Sequence, residues 1–337
     1  MVQTPTVFAW GNHEALTRIC IKNNGFSTQV VRGEPLSRVL KTLGFRNLKD
    51  FSEKLALNQS KIPKREFEMI KVSELLVIAS MEPDQGMDQE LNISPDQPYM
   101  GGLHGLSSQG FRHLFYPAFD WRRPRESFHF PMRKMGEAPK RAQVFFDLAK
   151  TAYQKKHFFW AYRFLGWGLH YVQDLTQPYH VSQFGSFELL ALGKIAKSWT
   201  AVIEETTRLV SNFHLSFEEY VDQNLKSNKE WTQKLTEKTD FEESMEGSVQ
   251  SNLEKLSVRF VKPLKGIITA QSNWVGKELF QSDLNLGSGM KNSKGEYKIT
   301  FLKERLPNEL NQELESALSN AGGACRWYIQ KLLTTLR

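Results

Sequence analysis

The sequence predicts an all-α fold, and three observations support this prediction. Apolar residues recur at three- and four-residue spacing along most of the chain, as on one face of a helix. One segment, His157 to Leu175, is apolar nearly all round, which is typical of a helix in the centre of a bundle. Alternating strand patterns are scarce, and Glu296 to Phe301 is the best short candidate. We therefore expect one bundle-like, multi-helix domain over residues 1–337.

The amino-terminal elements follow from apolar stripes that are interrupted by glycine, proline and polar clusters. The predicted helices of this part are Pro35 to Gly44, Leu48 to Asn58 and Glu66 to Met81. Glycine and proline then collect between Pro83 and Pro139. A stretch of this length without regular structure is usually a functional loop.

The later elements are longer helices around the apolar segment. The helix Glu137 to Gln154 has Pro139 near its first turn, where proline is favoured, and one apolar side. Periodic apolar residues predict the remaining helices, which are Phe187 to Val210, Phe217 to Asn228, Glu243 to Phe280 and 308–336.

Composition narrows the class of protein. The formal net charge of +7 favours anionic partners such as phosphodiesters, anionic lipid surfaces or nucleic acid. No run of 18 apolar residues is present, so no transmembrane helix is predicted. The only cysteines, Cys20 and Cys325, exclude a cysteine zinc cluster and leave one disulfide open. Val7-Phe8-Ala9, directly before Trp10, has the small residues that signal peptidase prefers, so residues 1–9 are a leader remnant or a chance similarity.

The segment Leu169 to His180 carries the strongest functional signal. His170 and Asp174 are four residues apart, so they project from one face of a helix and can bind one ion. Pro178 disrupts the helix, which lets His180 point elsewhere and suggests more than one metal ion. A carboxylate in such apolar surroundings costs several kcal/mol unless a cation or strong donors compensate it. We interpret the segment as part of a metal site.

Further residues of metal-ligand type lie on separate segments, as expected when helices converge on an inward-facing site. Nitrogen and oxygen ligands without thiolate suit zinc, with manganese or iron as alternatives. A His–Glu pair at helical spacing is more often a surface pair, and an isolated loop histidine usually makes an ordinary hydrogen bond. We assign His104, His129 and His157 to that ordinary class. The candidates are Trp10, His13, Asp84, Asp88, His113, His214 and Glu218.

As a set, these residues resemble the bacterial zinc-dependent phospholipase C family and its relatives, the fungal and plant single-strand nucleases. The similarity is greatest from Met135 to His180, where Phe146-Asp147-Leu148-Ala149-Lys150 leads into a His-x3-Asp-x5-His signature with Gln-Pro before the last histidine. With the later His-x3-Glu and the early Trp and His, it covers about the first two-thirds of the chain. The resemblance implies an all-helical domain with up to three zinc ions at the bottom of a cleft.

The resemblance also implies how the ligands divide among the ions. An upstream aspartate joins the first group, and we take Asp84 because it follows the end of a helix, with Asp88 as the alternative. The implied groups are Asp84, His113, His170 and Asp174 for one ion; Asp174, His13 and the backbone amine and carbonyl of Trp10 for another; and His180, His214 and Glu218 for the last.

Three departures from the family pattern concern these groups. A free amine on Trp10 requires removal of residues 1–9. The spacing from Trp10 to His13 is shorter than in the best-known members. An insertion over about 181–213 means that His214 is assigned through its partner Glu218 rather than by distance along the chain.

The resulting functional expectation is a zinc-dependent phosphodiester hydrolase. We expect a phospholipase C that releases a phosphorylated head group by attack of a metal-activated water, with Asp84 as the catalytic base implied by the resemblance. A single-strand nuclease or 3'-nucleotidase and a non-catalytic metal-binding protein are the alternatives. The expected partner is a phospholipid or membrane surface, for a monomer that is secreted or periplasmic. Single-stranded nucleic acid is a possible partner through basic residues interleaved with aromatic ones, although a solvated loop explains that run equally simply. These residues are Trp121, Arg122, Arg123, Arg125, Phe128, Phe130, Arg133 and Lys134.

Overall fold

A computed structural model describes residues 13–22, 26–63, 68–88, 108–118, 133–182, 199–241, 246–259, 271, 279–281, 283–296, 298–299 and 306–336. These residues are predominantly α-helical, which confirms the predicted fold class. The helices are α1 His13–Cys20, α2 Leu36–Val39, α3 Leu48–Lys54, α4 Val72–Met81, α5 Ser108–His113, α6 Ala138–Gln154, α7 Phe158–Asp174, α8 Pro178–Val181, α9 Trp199–Leu225, α10 Lys229–Lys234 and α11 Asn308–Thr335. Residues 249–259 are also helical.

The apolar segment forms α7, and α7 is the central helix of the described part of the chain. Every residue from Phe159 to Asp174 is buried, as its apolar surface predicts. Helices α4, α6 and α11 pack around it, and α1 packs on α4. Two glycines allow the closest approaches: a Cβ on Gly166 would lie 2.5 Å from the Cβ of Ala79, and one on Gly168 would lie 1.8 Å from the hydroxyl of Tyr328. The end of α7 that carries His170 is therefore enclosed by other helices.

The helix predicted from Glu66 to Met81 is wrong in its first part. Met69–Lys71 is a strand, β2, which pairs antiparallel with β1, Val30–Arg32, and only Val72–Met81 is helical. Lys71 has extended backbone angles, so the chain changes from strand to helix directly after it. Pairing with a segment about forty residues earlier is a tertiary effect that overrides the local apolar spacing.

Half of the strand predicted at Glu296 to Phe301 lies outside the described residues. The described residues Glu296, Lys298 and Ile299 are not in a strand. The side-chain oxygen of Asn292 accepts hydrogen bonds from the backbone amides of Lys294 and Glu296, which stabilises a turn directly before this segment. After the turn, the amide of Lys298 donates to the carbonyl oxygen of Met290.

The two helices predicted at Phe187 to Val210 and Phe217 to Asn228 share one continuous helix. Helix α9 runs through the interval between them, while residues 183–198 lie outside the described residues. The interval contains two polar residues, Asn212 and Ser216, which are buried and make hydrogen bonds. Asn212 Nδ2 donates to the carbonyl oxygens of Leu279 and Leu284, and Ser216 accepts a hydrogen bond from Gln271. Polar residues here mark internal contacts rather than a helix end.

Two other expectations concern cysteines and the membrane. Cys20 and Cys325 are both buried and both free, so the bridge that the sequence left open is not present. Within the described residues, no helix combines the length and apolar character needed to cross a bilayer.

Candidate metal centre

The candidate site lies where α7 ends. His170 and Asp174 are on its last turns, and neither side chain is exposed to solvent. A new short helix, α8, then begins with Pro178 in its first turn and Gln177 as its cap. The interruption predicted from Pro178 is thus confirmed, and it places His180 on a separate helix.

Three groups of side chains can each hold a metal ion. Within each group, one ligand-type atom per residue lies within 4.8 Å of the others, and every member is buried. The structure therefore brings together eight candidates that lie far apart in sequence, whereas Trp10 falls outside the described residues. The groups are His13, His170 and Asp174; Asp84, His113 and His170; and His180, His214 and Glu218.

Asp174 lies at the centre of these groups. One of its oxygens is 3.1 Å from His113 Nδ1 and 3.4 Å from His170 Nε2. The other is 3.6 Å from His13 Nε2 and 3.7 Å from His180 Nδ1. Neither oxygen has a hydrogen-bond partner of good geometry. A buried carboxylate without such donors is costly, and a shared cation is the usual solution.

The histidines are oriented by acceptors behind them. His170 Nδ1 lies 2.7 Å from the carbonyl oxygen of Ser80, and His180 Nδ1 lies 2.9 Å from that of His113. A carbonyl oxygen only accepts, so each of these nitrogens carries the proton. The opposite nitrogen, Nε2, then carries the lone pair and faces the centre.

The same logic applies to His13, which is held by a chain of side chains from three helices. Its Nδ1 lies 2.6 Å from Gln173 Oε1, and the amide of Gln173 donates to the hydroxyl of Thr17 at 2.8 Å. That hydroxyl donates to Ser80 Oγ at 2.9 Å. The amide oxygen accepts, so the proton is on Nδ1 and Nε2 points at the carboxylates of Asp84 and Asp174, each 3.6 Å away.

The interior of the site therefore brings several hydrogen-bond acceptors face to face. Lone pairs of three imidazoles and the carboxylates of Asp84, Asp174 and Glu218 converge in a volume from which solvent is excluded. Burial also lowers the pKa of His170 and of His180 well below the usual value, which keeps both rings neutral. Such an arrangement can hold cations.

The pKa values of His113 and Asp174 indicate an excess of negative charge in the site. Burial lowers the pKa of His113, but the carboxylates of Asp174, Asp88 and Asp84 outweigh this and raise it to about 10. Burial raises the pKa of Asp174 to about 7. A proton on His113 reduces the repulsion between the neighbouring carboxylates. A metal ion would take over that role, so we expect metal binding to release protons.

The structure distinguishes the two aspartates that the sequence left as alternatives. Asp84 lies on a 3-10 turn, Pro83–Gln85, and belongs to a ligand group. Asp88 is not in these groups. Its carboxylate accepts hydrogen bonds from Arg141, at 3.2 Å, and from Tyr171.

Several residues that support the site were missed in the sequence. Two buried arginines, Arg141 and Arg163, bind carboxylates next to Asp84, and Gln173 holds His13. Arg163, inside the nearly apolar α7, could have indicated such a pair from the sequence, because a buried guanidinium needs a buried partner. Gln173 gave no signal of its own.

Of the three histidines assigned to the ordinary class, the structure describes His157. His157 Nδ1 pairs with Glu34 at 3.0 Å, away from the ligand groups, as expected of an ordinary histidine. His104 and His129 lie outside the described residues. His214 and Glu218 are buried, so they are not the surface pair that their spacing alone would favour. Most of the basic run also lies outside the described residues, and within it Lys134 pairs with Glu254.

Comparisons with known proteins give distant structural matches. The chain is similar in structure to the alpha-toxin of Clostridium perfringens from an avian strain, with 14% identity and a TM-score of 0.42. It is also similar to the alpha toxin of Clostridium absonum, with 14% identity and a TM-score of 0.39. In both cases 98% of this chain is covered, and it spans 65% of the length of the matched chain. No family model and no curated protein sequence matches the chain.

Proposed function

We propose that the protein is a phosphodiester hydrolase that depends on up to three zinc ions. The observation that carries this proposal is the set of lone-pair nitrogens and carboxylates that face one another in a buried volume. Zinc fits a donor set of imidazole and carboxylate without thiolate. The ligands would divide as the resemblance implies. Asp84, His113 and His170 would hold one ion, His13 and Trp10 another, with Asp174 shared between the two. The third ion would be held by His180, His214 and Glu218.

Clustered divalent ions, when bound, supply positive charge to the oxygens of a phosphodiester and make water a competent nucleophile near neutral pH. The chain itself contributes position and proton transfer. Gln173 and the carbonyl of Ser80 fix the ring orientation of His13 and His170. Asp84, which is 3% exposed, faces the same interior and is the proposed general base.

The proposed substrate is a phospholipid, from which the enzyme releases a phosphorylated head group. This choice rests on the resemblance of the sequence around His170 to His180, and the net charge of +7 favours the approach to an anionic surface. By the same resemblance we propose a monomer that is secreted or periplasmic.

The test measures metal content and then hydrolysis. Purified full-length protein is assayed on vesicles of phosphatidylcholine, on vesicles of phosphatidylethanolamine and on single-stranded DNA, each with and without chelator. We expect zinc in the protein and chelator-sensitive release of a phosphorylated head group. Asp174→Asn, which removes the shared carboxylate, should lose zinc and nearly all hydrolysis.

His157→Gln is the matched control, because it removes an imidazole that lies outside the three groups. It should retain both zinc and activity. Chelator-sensitive nucleotide release without head-group release would replace the lipase with the nuclease. Bound zinc without turnover on any substrate would leave a metal-binding protein, and a protein that binds no divalent ion would remove the proposal.

A further inference from the structure

The turn that carries Asp84 is held on both sides by a buried carboxylate–guanidinium pair. Before it, Glu82 accepts hydrogen bonds from Arg163, at 2.9 and 2.5 Å, and from Trp167 Nε1, at 2.6 Å. After it, Asp88 accepts from Arg141 and Tyr171. All four charged partners are at most 3% exposed. Both pairs therefore fix the turn against α7, and the second also fixes it against α6.

The two pairs differ in their contact with an imidazole. Asp88 Oδ2 lies 3.3 Å from Nε2 of His113, whereas the contacts of Glu82 are with Arg163 and Trp167. The opposite nitrogen of the ring, Nδ1, lies 3.5 Å from Asp84 and 2.9 Å from His170 Nε2. The ring of His113 thus stands between Asp88 and the ligand group.

Asp88 is held in the form that accepts hydrogen bonds. Its Oδ1 accepts a hydrogen bond from the guanidinium of Arg141 at 3.2 Å and its Oδ2 accepts one from the hydroxyl of Tyr171, so both oxygens act as acceptors. An ionised carboxylate has no proton to donate, so the nitrogen that faces it is the protonated one. In the neutral ring, which is the form that can bind a metal ion, Nδ1 of His113 is then left with its lone pair directed inward.

The other imidazoles whose outer partners are described face neutral acceptors. These partners are the Gln173 amide oxygen behind His13, the Ser80 carbonyl behind His170 and the His113 carbonyl behind His180. A charged partner polarises an imidazole N–H more strongly than a neutral one and makes the opposite nitrogen a better metal donor. Among these rings, His113 has this advantage.

We propose that Asp88, anchored by Arg141, is a positioning residue that selects the Nε2-protonated form of His113 and presents Nδ1 to the metal. His113 would then bind through Nδ1, while His13 and His170 bind through Nε2. The inference rests on the proposed metal centre. It assigns Asp88 a role in holding one ion tightly and no contact with that ion.

The experiment compares full-length wild type, Asp88→Asn and Glu82→Gln. Glu82→Gln is the matched control, since it neutralises a carboxylate of the same turn that is equally buried and also paired with an arginine. Zinc affinity is measured by competition with a chromophoric chelator. We expect Asp88→Asn to weaken one zinc site by about 10- to 100-fold and to leave the others unchanged, as removal of such outer partners typically does. Glu82→Gln should change the affinity of that site by less than about 3-fold.

Long-range ¹H–¹⁵N spectra of the zinc-loaded wild type give a second readout that needs no variant to fold. They should show His113 protonated at Nε2 and coordinated at Nδ1. Coordination through Nε2 overturns the inference, and so does an equal loss of affinity in both variants, which would mean that only the shape of the turn matters. Wild type that binds zinc and Asp88→Asn that binds it equally well also overturn it, with the metal centre intact. Wild type that binds no zinc overturns the proposed function together with the inference.

Discussion

Asp174→Asn should change the sign of its effect on stability when zinc is added. In chelator at pH 8, the carboxylate is buried and its pKa is raised to about 7, so folding opposes its ionised form. A raised pKa contributes stability that is present at pH values below the unfolded pKa of about 4 and is lost as the pH rises through about 7. Three pKa units at about 1.4 kcal/mol each bound the penalty at about 4 kcal/mol. The substitution also removes a carboxylate that stabilises the charged form of His113, which reduces the gain, so we expect the metal-free Asn variant to be more stable by about 1–2 kcal/mol.

With zinc the order should reverse. Asp174 belongs to one ligand group and lies within 3.4 Å of two histidines of a second, so the amide weakens two of the three sites. Each site contributes about 3 kcal/mol when free zinc is 100 times its dissociation constant. An unfolding entropy of about 2 cal/mol/K per residue gives about 0.7 kcal/mol/K for a chain of this length, so each lost site lowers Tm by about 4 °C. The wild type should therefore gain about 8 °C more from zinc than the variant.

Differential scanning calorimetry at pH 8, with chelator and with excess zinc, measures both effects. His157→Gln serves as the control and should respond to zinc like the wild type. Equal zinc-induced shifts in the wild type and in Asp174→Asn would refute the shared position of Asp174. A metal-free variant that is much less stable than the wild type would refute the electrostatic penalty.

Three further outcomes are expected. Burial and the neighbouring carboxylates Glu218 and Glu219 raise the pKa of Asp222 to about 8, so Asp222→Asn should stabilise the protein by at least about 1 kcal/mol at pH 8 and have little effect at pH 4; urea titrations at both pH values check this, and no pH dependence of the difference would contradict it. Glu218→Gln should remove one zinc ion and leave the others, as measured by metal analysis, and an unchanged stoichiometry would count against the third group. Gly168→Ala should destabilise the protein by about 3 kcal/mol or more, because the new Cβ would lie 1.8 Å from the hydroxyl of Tyr328; thermal unfolding checks this, and a neutral substitution would contradict the close packing of α7 on α11.

Local sequence patterns predicted the elements whose environment they determine. The central position of helix α7 could be predicted because a helix that is apolar on all sides is stable only in the protein interior. The end of that helix was readable because Pro178 cannot continue it. The strand Met69–Lys71 could not be predicted, because its pairing with Val30–Arg32 determines it.

The candidate site shows the same division. Helical spacing predicted that His170 and Asp174 share a face, and the resemblance brought distant residues such as His113 and His214 into the same set. The supporting partners were not predictable. Whether Arg141 meets Asp88, or Gln173 meets His13, depends on how separate helices pack, and the residues carry no spacing that reveals it.

The wide separation of the donors along the chain has a consequence for the order of assembly. His180 and His214 are 34 residues apart, and His113 and His170 are 57 apart, while His13 meets a helix about 160 residues away. Because the entropy of closing a loop grows with its length, the group on α8 and α9 costs least to form, by about 1–2 kcal/mol relative to the one that includes α1. During refolding, the first cation captured should be the one held beside His214, and α1 should dock last.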